Sequence, residues 1–287
     1  MDLNNKRILL TGATGGIGQQ AAQSLAEQGA RLLLVARNQQ KIEALIARLP
    51  NPDVHTTLSA DLTTRAGRCA LNQQVEHWQQ QGKRLSVVIN NAGSNQFQFL
   101  SQRSHDTLET ELNLNLLTPI LLSQMAMQWL ERPGLILNVG STFGAIGYPG
   151  YTSYCAAKAG LHRFSEALNR ELDGAGINVL YLAPRATDTD LNSAAVQAMN
   201  KKLGNHSDSP QVVAQQLVEM LQHEQATRWL GWPEKLLVKI NQWFPSLVSN
   251  AIRKHQSVIH DCLTQTPLGH HHDVKLNASL TSAEKHL

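Results

Sequence analysis

Near the N-terminus an apolar pentapeptide, RILLT at residues 7–11, runs into the glycine-rich GATGGIG of residues 12–18, and QQAAQSLAEQG follows with helical spacing. Ala22, Leu25 and Ala26 fall on one face of that helix. Few folds accept strand, glycine turn and helix in so short a stretch, and the pattern predicts a βα unit. Glycines without Cβ atoms let a backbone approach a pyrophosphate, whose charge sits at the positive helix N-terminus. Taken alone, the same glycines also suit an ordinary tight βα turn. The other parts of a nucleotide site have to come from the rest of the chain.

Further strands are expected at residues 31–37 (RLLLVAR), 53–62, 84–93, 135–139, 177–183 and 226–232, with helical spacing at 38–49, 105–130, 155–173 and 209–221. The strand at 84–93 is almost wholly apolar, as a strand buried on both faces should be. The alternation predicts an α/β chain: a Rossmann-type doubly wound parallel sheet of about seven strands with helices on both faces. A length of 287 residues fits one such domain plus a tail, and 42% hydrophobic with 16% charged residues is ordinary for a globular protein. A net charge of +3 without blocks of like charge gives no reason to expect nucleic acid. Cys69, Cys155 and Cys262 are odd in number and far apart, which reads as reduced thiols in a cytoplasmic chain with no metal site. The apolar stretch 112–130 is interrupted by Asn113, Asn115, Pro119 and Gln124, so a buried helix is expected there rather than a membrane span. No leader is expected before the first strand.

Residues 135–160, LILNVGSTFGAIGYPGYTSYCAAKAG, carry the chemistry. The strand breaks at Gly140, Ser141 places a hydroxyl at its end, and a helix beyond the Gly/Pro-rich loop holds Tyr154 and Lys158. Spaced four apart, these two share a helix face, so an ammonium stands beside a phenol. The expectation is a Tyr154 pKa below the usual ~10, suiting proton transfer to or from a carbonyl or alcohol oxygen that Ser141 also binds. Elsewhere, the second strand ends Ala36-Arg37 where a dinucleotide fold usually has an acid for the ribose of NAD. Arg37 either pairs with a 2′-phosphate, pointing to NADP(H), or is a surface residue starting the next helix. Asp61 either caps a helix or touches adenine. Asn115, unfavourable inside a helix, has a polar role or a surface position.

In this order the motifs resemble the short-chain dehydrogenase/reductase family, in its single-domain branch, over about residues 5–232. The resemblance rests on Thr11-Gly12-x-x-x-Gly16-Ile17-Gly18, Asn90-Asn91-Ala92-Gly93, Asn115, Ser141, Tyr154-x-x-x-Lys158 and Pro184…Thr189. The spacing of Gly12, Gly15 and Gly18 also fits the extended, epimerase-like branch; the Asn-Asn-Ala-Gly motif and the lack of a sizeable extra domain favour the single-domain one. The resemblance implies that Tyr154 is the proton donor or acceptor and that Lys158 lowers its pKa and binds the nicotinamide ribose. Ser141 would orient the carbonyl, and Asn115 would hold a water relaying protons to Lys158. The cofactor would meet Thr11, Gly12, Thr14, Gly15, Gly16, Ile17 and Gly18, then Arg37, Asp61 and Leu62, then Asn91, Ala92 and Gly93. On the nicotinamide side it would meet Tyr154, Lys158, Pro184, Thr187 and Thr189. Two departures stand there: Arg185 follows Pro184 in place of a usual Gly, and Thr187 replaces a frequent Val or Ile. Substrate contacts are expected from Asn95, Phe97, Phe143, Tyr148 and Tyr151, with Ser94, Gln96 and Leu191 nearby.

The expected activity is an NADP(H)-dependent oxidoreductase, with NAD(H) as an alternative cofactor, interconverting a carbonyl and a secondary alcohol on an apolar or lipid-like small molecule. The rivals are a cofactor-binding regulatory protein without turnover and an epimerase-type enzyme that retains NAD. Domain 1–232 is read as catalytic, with 190–210 as a substrate lid. In 233–265, Leu236, Leu237, Ile240, Trp243, Phe244, Leu247 and Val248 form one helical stripe, which Pro245 should divide. That stripe covers its own pocket, mates with another subunit, or lies in a membrane surface with Trp anchors. Residues 266–287 are polar and aperiodic, an expected disordered tail whose His270, His271 and His272 read as solvated. The resemblance also implies a homodimer or homotetramer formed through helices at 105–130 and 152–173.

Overall fold

The computed structural model describes residues 1–189 and 191–264; the expectations for Asp190 and for the tail at 266–287 lie outside the described residues. Strand and helix alternate from the start: β1 (Arg7–Thr11), α1 (Gly16–Glu27), β2 (Arg31–Ala36), α2 (Gln39–Ile46), β3 (Thr56–Ser59), α3 (Arg65–Gln80) and β4 (Leu85–Asn90). The second half runs α4 (His105–Leu112), α5 (Thr118–Trp129), β5 (Leu130–Val139), α6 (Thr152–Glu171), β6 (Ile177–Ala183), α7 (Ala194–Leu203), α8 (Pro210–His223) and β7 (Thr227–Trp229). Three further helices close the described chain, α9 (Glu234–Trp243), α10 (Pro245–Lys254) and α11 (Gln256–Thr264). All seven strands pair in parallel, in the order β3-β2-β1-β4-β5-β6-β7. This is the doubly wound sheet expected, and its order reverses between β1 and β4, where such sheets open a crevice.

Alternation along the strands builds two cores. Ile8, Leu10, Leu32 and Leu34 face the layer holding α1 and α8, whereas Leu9, Leu33 and Val35 face the layer of α3 and α5. Each such side chain is essentially inaccessible, and burying one contributes about 1.5–3 kcal/mol. The sheet is therefore a rigid floor, and its carboxyl edge presents the loops.

Two local differences from the sequence expectation, and one agreement, matter for the site. The helix expected over 105–130 is interrupted by a π turn at Asn113–Leu117. Pro119 offers no N–H to the helix behind it, and the ladder loosens just ahead. The segment 190–210, expected as a polar lid, contains α7. Its Val196 and Met199 pack with Ile259, Cys262 and Leu263 of α11. Pro245 divides the C-terminal stripe into α9 and α10 as expected.

Candidate active site

Gly12 adopts φ +63°, and a Cβ there would lie 2.7 Å from Ala92 Cα; a Cβ on Gly18 would collide with the Gly12 carbonyl. The turn is thus folded tightly against the end of β4. Thr11 and Asn91 hold it there. The Thr11 hydroxyl accepts from Asn91 N (3.0 Å) and Ala92 N (3.1 Å), and Asn91 Nδ2 donates to the carbonyls of Thr11 (3.0 Å) and Gly12 (3.2 Å). Gly15 caps α1 with no side-chain hydrogen bond, and the first turn carries no acid. Its N–H groups, together with Thr14, Gly16 and Ile17, form a cradle suited to a dinucleotide pyrophosphate. Across the cleft a Cβ on Gly16 would reach within 2.5 Å of Thr189 Cγ2, so the Pro184–Thr189 loop closes on the glycine turn.

Toward the adenosine end, Arg37 is exposed after β2; the Asp61 carboxyl pKa is lowered chiefly by the Thr63 hydroxyl hydrogen bond, with the Arg37 charge a minor addition. Asp61 Oδ1 accepts from Thr63 N and Oγ1, whereas Thr64 caps α3. Of the two roles open to Asp61 in the sequence, helix cap is therefore taken by its neighbour. The Leu62 side chain belongs to the sheet core.

Ser141 and Tyr154 meet in a cavity of about 360 Å³. The Ser141 hydroxyl accepts from Phe143 N (3.1 Å) and hydrogen-bonds the Tyr154 phenol. Lys158 is buried; its Nζ donates to Val139 O (3.0 Å) and lies 5.7 Å from the Tyr154 ring centre. Burial sets both proton affinities. It raises the Tyr154 pKa above its ordinary value, the Ser141 hydrogen bond opposing this, and it lowers Lys158 to about 8. The expected lowering of Tyr154 by Lys158 is thereby reversed: the phenol stands among Phe143, Tyr148 and Tyr151, and desolvation of its anion dominates. Such a phenol stays protonated at neutral pH and can still donate to a developing alkoxide, the stronger base.

The π turn brings Asn115 to the Gly93–Ser94 loop, on the other side of which lies Lys158. Asn115 Nδ2 donates to the carbonyls of Ser94 (2.8 Å) and Glu111 (2.9 Å), its Oδ1 accepts from Ser94 N (3.3 Å), and a Cβ on Gly93 would contact both Asn115 Oδ1 and Lys158 Nζ. Pro184, Thr187, Thr189 and Ile17 line the same cavity as Ser141 and Tyr154. Of the expected substrate residues, Asn95, Phe143, Tyr148 and Tyr151 line it as well, and so does Leu191. Phe97 does not: it is buried behind Tyr151, ring centres 5.1 Å apart.

Tyr181, Arg103 and Glu111 had no signal in the sequence. Tyr181 stands beneath the catalytic strand end, and Gly140 and Gly144 have no room for a Cβ against its ring. Buried Arg103 and Glu111 pair at 2.9 Å; Arg103 and Glu111 both bond Ser153, next to Tyr154, and Glu111 also accepts from Gln96 N. Arg185 lines the same cavity and bonds Asp208 (2.7 Å) and Glu234 (3.2 Å), tying the segment ahead of α8 to the start of α9. Leu237, Val248, Ile252 and Ile259 of the C-terminal helices form the far cavity wall with Met199 and Leu203.

Residues 6–200 match the family described as short chain dehydrogenase. The chain belongs to the short-chain dehydrogenase/reductase family of oxidoreductases, whose members use NAD(P). It is 34% identical over 206 residues, 71% of this chain and 82% of the relative, to the 3-oxoacyl-acyl-carrier-protein reductase FabG of Pseudomonas aeruginosa. Among solved structures it is similar to a short-chain dehydrogenase of Burkholderia cenocepacia in complex with NADP (26% identity, TM-score 0.68, covering 77% of this chain and 91% of that one). It also resembles one of Sphingobium yanoikuyae in complex with NADPH (25% identity, TM-score 0.69, 88% and 95%).

Proposed function

We propose that the protein is an NADP(H)-dependent reductase converting an apolar, lipid-like ketone to a secondary alcohol. The observation that carries this reading is one largely apolar cavity that Ile17 of the glycine turn lines together with Ser141, Tyr154, Thr187 and Thr189. Ala36 standing where an acid would select NAD, with Arg37 just after it, and the NADP and NADPH bound by the two structural relatives support NADP(H). A nicotinamide held between the glycine turn and Thr187–Thr189 would supply the hydride. Ser141 donates a hydrogen bond to the substrate oxygen, Tyr154 gives it a proton, and the Lys158 ammonium stabilises the resulting phenolate. Asn115 positions the Ser94 loop from the π turn. A 3-oxoacyl chain, the class named for the Pseudomonas aeruginosa relative, suits the long apolar wall.

The same reading makes the protein cytoplasmic and a homodimer or homotetramer through the outer faces of α4, α5 and α6, where Leu112 and Leu117 are exposed. The test is NADPH consumption across ketones and 3-oxoacyl thioesters of increasing chain length. Turnover rising with chain length is expected; an absence of turnover across the whole series overturns the proposal.

A further inference from the structure

The C-terminal helices have two apolar faces, and the cavity uses only one. Leu237, Val248 and Ile252 point into it, and Asn241 Nδ2 donates to Ala145 O at 2.8 Å, fixing α9 over the pocket. The outer face carries Trp243, 79% exposed, with Trp232, Phe244, Leu247 and Leu236 also open to solvent. Single exposed apolar residues are commonplace, but two tryptophans, a phenylalanine and two leucines within sixteen residues are not. The charges are equally one-sided. Lys235, Lys239, Arg253 and Lys254 are exposed, and the one acid between residues 231 and 260, Glu234, is paired with Arg185. On α9, Leu236, Lys239 and Trp243 recur at i, i+3 and i+7, and on α10 Leu247 and Lys254 share a stripe. Apolar side chains interleaved with cations, tryptophan among them, match the headgroup boundary of an anionic bilayer, where lysine snorkels and the indole is half immersed. Among the described residues no helix is long and apolar enough to cross a membrane, so contact there would be peripheral.

We propose that the outer face of α9 and α10 docks on an anionic phospholipid surface, setting the roof of the cavity against the bilayer. Its use as a route for lipid-like substrate rests on the reductase reading; the docking itself does not. The test is flotation of the full-length protein with vesicles of phosphatidylcholine alone or of equimolar phosphatidylcholine and phosphatidylglycerol. Binding to the anionic vesicles, weakened by salt, is expected. W243S/F244S should lower partitioning at least tenfold, and K235S and K239S about fivefold each, with NADPH affinity and circular dichroism unchanged. Wild-type protein that stays off anionic vesicles, or Trp243 and Lys variants that bind as well as wild type, overturns the proposal. So does a W243S/F244S variant that only lowers the sedimentation-derived mass, which assigns the face to a second copy. Because flotation needs no substrate, a failed ketone screen leaves this result standing.

Discussion

At the scale of single residues, the proton donor is governed by desolvation. Burial lowers Lys158 to about 8 and raises Tyr154, so the ammonium is the first of the pair to titrate as pH rises. The charged form of Lys158 is complete well below pH 8 and lost through it. Reductive kcat/KM should therefore fall with a midpoint near 8; a profile flat into the phenol range of about pH 10 contradicts the assignment. The other residue-scale prediction concerns Arg37. Removing a charge-assisted bond to a 2′-phosphate is worth about 1.5–3 kcal/mol, so Arg37→Ala should weaken NADPH binding roughly tenfold to a hundredfold and leave NADH within about twofold. Nicotinamide fluorescence titration reads both. That Ser141, Tyr154 and Lys158 come together was legible in the sequence, from a strand end and a four-residue helical spacing, whereas Asn115 came in only through the family resemblance. The direction of the Tyr154 shift was not, since it depends on Phe143, Tyr148 and Tyr151 folding around the phenol.

At the scale of elements, the loops are aligned by polar side chains that no periodicity reveals. The Arg103–Glu111 pair joins the loop after β4 to the start of α6 through Gln96 and Ser153, with both charges almost inaccessible. Breaking a buried pair from one side strands the other charge. Glu111→Gln should therefore lower stability by about 3–5 kcal/mol, seen as a lower urea midpoint at unchanged slope. A midpoint within error of wild type would show the pair to be dispensable. The strands and most helices followed from alternation and helical spacing. The π turn did not, because helical spacing runs unbroken through 105–130 and only the geometry around Pro119 divides it. Arg185 stood out as a departure beside Pro184, but its partners Asp208 and Glu234 are 23 and 49 residues away, beyond the reach of local pattern.

At the scale of the whole molecule, the cofactor cradle belongs to the sheet, whereas the cavity is finished by the C-terminal helices. The stripe on those helices was visible in the sequence; which half of it turns inward was not, since an amphipathic face looks alike against a core, a partner or a lipid. Filling the roof should separate the two functions. Ala251→Trp is expected to raise KM for long-chain ketones at least tenfold with NADPH affinity unchanged, and an unaltered KM would place the substrate elsewhere. The proposed reduction depends on Tyr154 giving the proton within an otherwise intact site. Its most direct test compares wild-type and Tyr154→Phe protein in one preparation, following NADPH consumption with an apolar ketone and NADPH binding by fluorescence. Loss of about a hundredfold to ten-thousandfold in turnover with binding retained is the predicted result. A Phe variant that turns over as fast as wild type would contradict the mechanism.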